Sequence, residues 1–226
     1  METLRVALAV FALAVVSLLI FLASHYIRYG TGPRMTPRSA AVNELKSTYT
    51  MLKGDVDAAV VFGKANGTQF ARRTLVRTLF AFIEGLTNQL SSVAAASAPT
   101  ETGIFSAGEL AALREESYDV NEQGLVETRA ARISLKRRIR LAFRCYPRIH
   151  GASFNADLGG QGWSALQDAI RIRDRLTHPK GDADLSVSDS DLTLVGTASG
   201  WYQDSIVALL KACQDADAAF SPPPAA

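Results

Sequence analysis

The chain has 226 residues, 48% of them hydrophobic and 8% aromatic, which is enough for one domain with a sizeable core plus an appendage and too little for a second enzymatic domain. Its 24 lysines and arginines against 22 acids leave a net charge of +2, so any basic partner surface must come from local clustering rather than from the overall balance. The two cysteines, Cys145 and Cys213, lie far apart without ligand spacing, which argues against a disulfide framework or a zinc site and suits small core residues in a reducing compartment.

Val6 to Ala23 (VALAVFALAVVSLLIFLA) gives eighteen consecutive residues without a charge, and Ser24 to Ile27 extends the run. That length spans a bilayer, so residues 1–28 are expected to be a transmembrane anchor, with residues 6–27 in the membrane. A secretory signal peptide would have a shorter apolar region and a small-residue cleavage site, which "LASHYIRYG" does not offer. A mis-called start codon and a hydrophobic helix buried in the fold are the remaining alternatives. Only Arg5 precedes the run, whereas Arg28, Arg34, Arg38 and Lys46 follow it, and Tyr26 and Tyr29 sit where an interfacial belt would be. The positive-inside bias then predicts a single-pass protein of the inner membrane with its C-terminal domain in the cytoplasm.

Beyond the turn-rich "YGTGPRMTP", the pattern is helical and the expected fold class is all-α. Residues 29–67 read as a linker and juxtamembrane helix, in which Val42, Leu45, Tyr49, Leu52, Val56 and Ala59 recur in steps of three and four. This seam either forms a short dimerising stalk or packs on its own domain, and Gly54 weakens a long straight coil. After the break "GKANGTQ", a domain over residues 68–217 is expected, opening with a helix over Phe70–Ala96. Arg73, Arg77, Glu84 and Asn88 fall on one stripe of that otherwise apolar helix, and Glu84 is expected to pair with an arginine.

Ser106 and Glu109 form a capping box for a short helix running to about Glu116. Asn121 to Gly124 breaks the chain, and a helix is predicted over Val126–Tyr146, with Ile133, Ile139, Ala142, Phe143 and Tyr146 inward. Eight basic residues lie between Arg129 and Arg148, and Arg132, Lys136, Arg140, Arg144 and Arg148 repeat every four residues. Such a ridge is suited to RNA phosphates, Arg132, Lys136 and Arg140 being the candidate contacts; a solvated charged face is the other reading. His150, in the loop that follows, has no evident ligand partner.

The next helix starts near Trp163 and carries "RIRDRLTHPK", Arg171 to Lys180. Pro179 stops it, so His178 sits at its end. Asp174 lies four residues before His178, where its carboxylate can hold an imidazole proton, and Arg173 reaches round the helix toward the same surface. An arginine and a histidine suffice for RNA cleavage without metal: one steadies the phosphorane, the other moves the protons of the 2′-hydroxyl and the leaving oxygen. In the alternative reading, His178 complements the helix dipole and Arg171 pairs with Asp174 on the surface. Ser188 and Asp191 cap a final helix over Asp189–Asp215, and residues 218–226 form a tail.

Arg173-Asp174-Arg175-Leu176-Thr177-His178 resembles the arginine, polar residue, three variable residues, histidine signature of the HEPN superfamily, in the setting of a motif helix, a proline, a short loop and a long last helix with Trp201 and Tyr202. The resemblance covers roughly Thr68 to Asp215. It implies a helical bundle that dimerises, bringing two motifs into one cleft, and in active members a metal-independent endoribonuclease of toxin–antitoxin or antiphage systems. On this chain Arg173 would polarise the phosphate, His178 would be the acid or base, and Asp174 would orient them. Arg171 and Arg175 would add positive charge for RNA. Other members act as RNA-binding or assembly modules without cleavage. No cofactor or metal is implied, and any antitoxin or defence partner is unidentified. Asp174 stands where the family frequently has asparagine, which sets a negative charge beside Arg173. No glycine-rich phosphate loop, paired-histidine zinc motif or serine nucleophile elbow occurs in the chain.

Overall fold

The computed structural model describes residues 37–98 and 103–219. The expected anchor and the tail beyond Ala219 lie outside the described residues. Among the described residues, no helix is long and apolar enough to cross a membrane.

Six α-helices and one β-hairpin make up the described fold: α1 (Pro37–Ala65), α2 (Gln69–Ser97), α3 (Ala107–Leu113), β1 (Glu116–Val120), β2 (Val126–Ala130), α4 (Leu135–Cys145), α5 (Gln161–Thr177) and α6 (Asp189–Ala219). Short 3-10 turns cover Tyr146–His150 and Asp182–Leu185. The fold is thus mostly helical, as expected, with a hairpin that the periodicity does not announce.

The α1 seam packs on its own chain. Val42, Leu45, Tyr49, Val56 and Ala59 are buried, with Leu52 partly so, and all but Ala59 belong to or pack on the one core cluster that α2, α4, α5 and α6 share. Tyr49 meets Phe82 of α2 edge-on at 5.9 Å. Gly85 makes the close approach feasible, because a Cβ there would lie 2.5 Å from Leu52 Cδ1. The helix expected as a juxtamembrane element therefore contributes to the same core as the helices after it.

α2 is the centre of the bundle. Thr68 caps it by accepting from the Ala71 N–H, and Val76, Leu90, Val93 and Ala94 are at most 1% exposed. On its far side, α6 brings Tyr202 into the interior, where the phenol bonds Thr87 Oγ1 at 2.9 Å and the Ile83 carbonyl at 3.2 Å. Burial drives that phenol's pKa well above its ordinary value, offset in part by the Thr87 bond. Tyr202→Phe should lower stability by about 1–2 kcal/mol, the worth of a buried hydrogen bond whose partner is left behind, read as a fall in Tm by circular dichroism. An unchanged Tm would mean that Thr87 alone satisfies Ile83, to which it also bonds.

Two sequence expectations are corrected. Residues 126–130, assigned to a helix, form β2, paired antiparallel with β1 so that Tyr118 faces Thr128 and Val120 faces Val126. The cause is local: Asn121 Oδ1 accepts from the N–H groups of Gln123 and Leu125, both at 3.0 Å, and Gly124 takes a left-handed φ of 79°. Tyr118 and Val120 on one side and Val126 and Thr128 on the other, aromatic or β-branched at alternate positions, then favour strands. α4 begins only at Leu135, after Ser134, and α3 ends at Leu113 rather than near Glu116. Both cysteines are buried and unoxidised, and burial, then the Asp217 carboxylate, pushes the Cys213 thiol up to about 12. Such thiols are core residues, inert as nucleophiles.

Candidate functional site at the end of the motif helix

α5 carries its apolar residues, Trp163, Leu166, Ala169, Ile172 and Leu176, into the core and leaves its arginines at the boundary. It ends where Pro179 demands: His178 leaves helical geometry at φ −127°, ψ 62°, while its N–H still donates to the Asp174 carbonyl at 2.9 Å. The His178 ring is exposed, and no side-chain hydrogen bond or ion pair forms on it among the described residues.

Arg173 is the most constrained of the candidate catalytic groups. Its guanidinium is 2.5 Å from Glu84 Oε1 and 2.8 Å from Asp174 Oδ1, and lies 5.6 Å from the centre of the Phe80 ring. Glu84 thus has the arginine partner that its place on α2 required, supplied by α5. The Asp174 carboxylate is held by Arg173, not by the His178 imidazole; its side chain takes the nearer and permanently charged partner. Nor does Arg171 pair with Asp174: it bonds Asp168, one turn back, at 2.5 Å and is exposed.

Arg175 is committed to the fold. Its guanidinium donates to the carbonyls of Asp184 (2.7 Å) and Ser186 (2.5 Å) and to Asp191 Oδ2 (2.7 Å), tying the loop after α5 to the start of α6. Three further arginines, all from α2, fasten the same region: Arg77 to the Leu176 carbonyl at 2.6 Å, Arg73 to Leu185 at 3.0 Å, and Arg72 to Val187 at 3.0 Å. The last carbonyls of a helix and those of a loop need donors, and here guanidinium groups supply them. The sequence showed Arg73 and Arg77 on one stripe of α2 but not what they reach, because a backbone carbonyl has no residue signature.

The basic ridge lies elsewhere. Arg132, Lys136 and Arg140 are exposed, and Arg140 covers the Trp163 ring at 4.9 Å. Trp163 is in the first turn of α5 and His178 just past its last, some fifteen residues or about 22 Å along the axis. Arg140 therefore sits at the opposite end of α5 from the candidate catalytic groups, whereas Arg171 and Arg175 are at the same end as those groups. Arg148 turns inward to Glu109 at 2.7 Å and to the Ile104 carbonyl, and Arg138 bonds Glu115 at 2.8 Å. His150 is buried against Tyr146, with Nδ1 3.1 Å from the Asp217 carboxylate, which ties the 3-10 turn to the end of α6. Among the described residues, no group of three or more His, Cys, Asp or Glu side chains is arranged to hold a metal ion.

No family model, curated protein or solved structure matches this chain.

Proposed function

We propose that this chain is a membrane-anchored, HEPN-like helical module that works by assembly or RNA binding rather than by cutting RNA. Residues 6–27 would hold it at the inner membrane, with the described bundle in the cytoplasm as a homodimer. The observation that carries this reading is the double pairing of Arg173. With Glu84 and Asp174 both within 2.8 Å, the guanidinium is outnumbered by carboxylates, and a phosphate would have to displace one of them. RNA contact would then fall to the exposed Arg132, Lys136 and Arg140, of which Arg140 lies over Trp163, at the other end of α5 from the motif.

A second reading, metal-independent endoribonuclease, is favoured by one feature: the exposed His178 ring has no competing side-chain partner, so it is available to a substrate. One experiment separates the two. The full chain in nanodiscs is incubated with mixed RNA in excess chelator, beside His178→Ala, and both are melted. The module reading expects intact RNA with either protein and a Tm unchanged within about 1–2 °C, as for an exposed side chain without bonds. Cleavage by the wild type that disappears in His178→Ala at unchanged Tm would overturn it in favour of the ribonuclease.

A further inference from the structure

α1 and α6 both lean on the first half of α2 without closing on each other, and a partly enclosed hollow of about 240 Å³ remains between them. Its floor is Leu75 and Leu79 of α2, and its walls are Val56 and Val60 of α1 and Leu192 and Val195 of α6. Interiors close-pack, so a space this large needs a reason. The reason is in the residue choice. Gly63, Gly67, Gly196 and Gly200 line it, and a Cβ added at any of the four would meet nothing within 4 Å. Two of these glycines, Gly196 and Gly200, lie inside α6, where glycine is a poor helix former.

Besides these apolar residues, Asp57, Lys64, Asn66 and Arg72 line the hollow, and so does one buried polar pair. Gln203 and Ser199 are each 9% exposed and stand one turn apart on α6, with Gln203 Nε2 donating to Ser199 Oγ at 3.1 Å. Beyond that bond, the Gln203 carbonyl oxygen and the Ser199 hydroxyl proton make no further hydrogen bond among the described residues. Of the charged lining residues, Asp57 pairs with Lys53 and Arg72 with Asp189 at 2.7 Å, which leaves Lys64 as the one without an ion pair among the described residues. An apolar cavity of about 150 Å³ is known to take benzene, and small-molecule sites combine an apolar lining with a few placed polar groups.

We infer that this hollow binds a neutral, mainly apolar small molecule about the size of a fused two-ring aromatic, oriented by a single N–H or O–H donated to the Gln203 carbonyl. Charge deep in the hollow is disfavoured because the floor, Leu75 and Leu79, is apolar and offers no counter-ion. The site is separate from the RNA reading and stands or falls without it.

The test uses the full chain in nanodiscs and titrates indole, which has one N–H donor, and naphthalene, which has none, by calorimetry. Gly196→Leu serves as the blocked control, since its side chain enters open space and it removes a mid-helix glycine, so its Tm should equal or exceed the wild type's. Expected are saturable binding of indole, several-fold weaker binding of naphthalene, and a loss of about tenfold or more for both in Gly196→Leu. Gln203→Leu should abolish the preference for indole while keeping naphthalene. Equal signals from wild type and Gly196→Leu would be partition into the lipid and would overturn the proposal. So would a preference for indole that survives Gln203→Leu, or an absence of binding together with a changed oligomeric state in Gly196→Leu, which would make the hollow a packing face for another chain segment.

Discussion

Arg175→Ala should destabilise the protein by about 2–3 kcal/mol and lower its Tm by roughly 5–10 °C, whether or not RNA is present. The side chain is only 26% exposed and its partner Asp191 19%, so the pair is shielded from the screening that makes surface ion pairs nearly worthless. Removing the guanidinium also deprives two loop carbonyls of a donor. Asp191 links this loss to pH. Burial pushes its carboxyl up, but the N–H and hydroxyl of Ser188 and the Arg175 cation outweigh burial and hold it below the ordinary aspartate value of 3.8. A carboxylate depressed in the folded state contributes fully above its unfolded pKa and loses that contribution as pH falls through the folded one. The Tm gap between wild type and Arg175→Ala should therefore be widest near neutrality and narrow below about pH 3.8. Thermal melts across that range check it. A variant that melts like the wild type but binds RNA less would return Arg175 to the role of a phosphate contact.

Gly162→Ala should cost about 2 kcal/mol, a Tm loss of roughly 4–8 °C, although alanine is ordinarily the better helix residue by about 1 kcal/mol. The new methyl carbon would lie 2.5 Å from Trp201 Cβ and Cδ1. Trp201 cannot swing aside cheaply, because its Nε1–H donates to the Asp157 carbonyl at 3.0 Å and its ring packs on Trp163 at 5.2 Å. Either α5 moves away from α6 or the indole loses its bond. As the chain has two tryptophans and both are in this contact, intrinsic fluorescence should shift to longer wavelength in the folded variant. An unchanged emission and Tm would show that α5 and α6 are not seated on each other as described.

What the sequence made legible was local. The α1 seam, the Ser106–Glu109 capping box, the Ser188–Asp191 cap and the stop at Pro179 each depend on residues within one or two turns, and all are present. Glu84 was legible as a carboxylate needing a cation, though not which cation, since Arg173 lies on another helix. The hairpin is hidden because Arg129 and Arg132 read as a continuation of the basic residues of the helix that follows. Arg129 is on β2, where it bonds Asp119 across the ribbon at 3.0 Å and Glu127 at 3.1 Å. At the motif, spacing alone gave Asp174 a choice between His178 and Arg171; the tertiary arrangement that presents Arg173 to Glu84 also fixes its guanidinium beside Asp174. The fastening of α5 by Arg77 and of the turn after it by Arg73 spans 99 and 112 residues of chain and ends on carbonyls, so no pattern in the sequence could announce it.

That fastening changes where the molecule yields. A helix ordinarily frays from its last turn, where carbonyls face water alone, yet here the last turn of α5 is sewn to the opening turns of α2. Unravelling the residues around His178 would have to break the Arg77 bond to the Leu176 carbonyl, so the segment is tied to the central helix of the bundle. Pliancy is left to the solvent-facing ribbon of residues 116–130, which is the natural place to insert a tag or reporter without disturbing the motif.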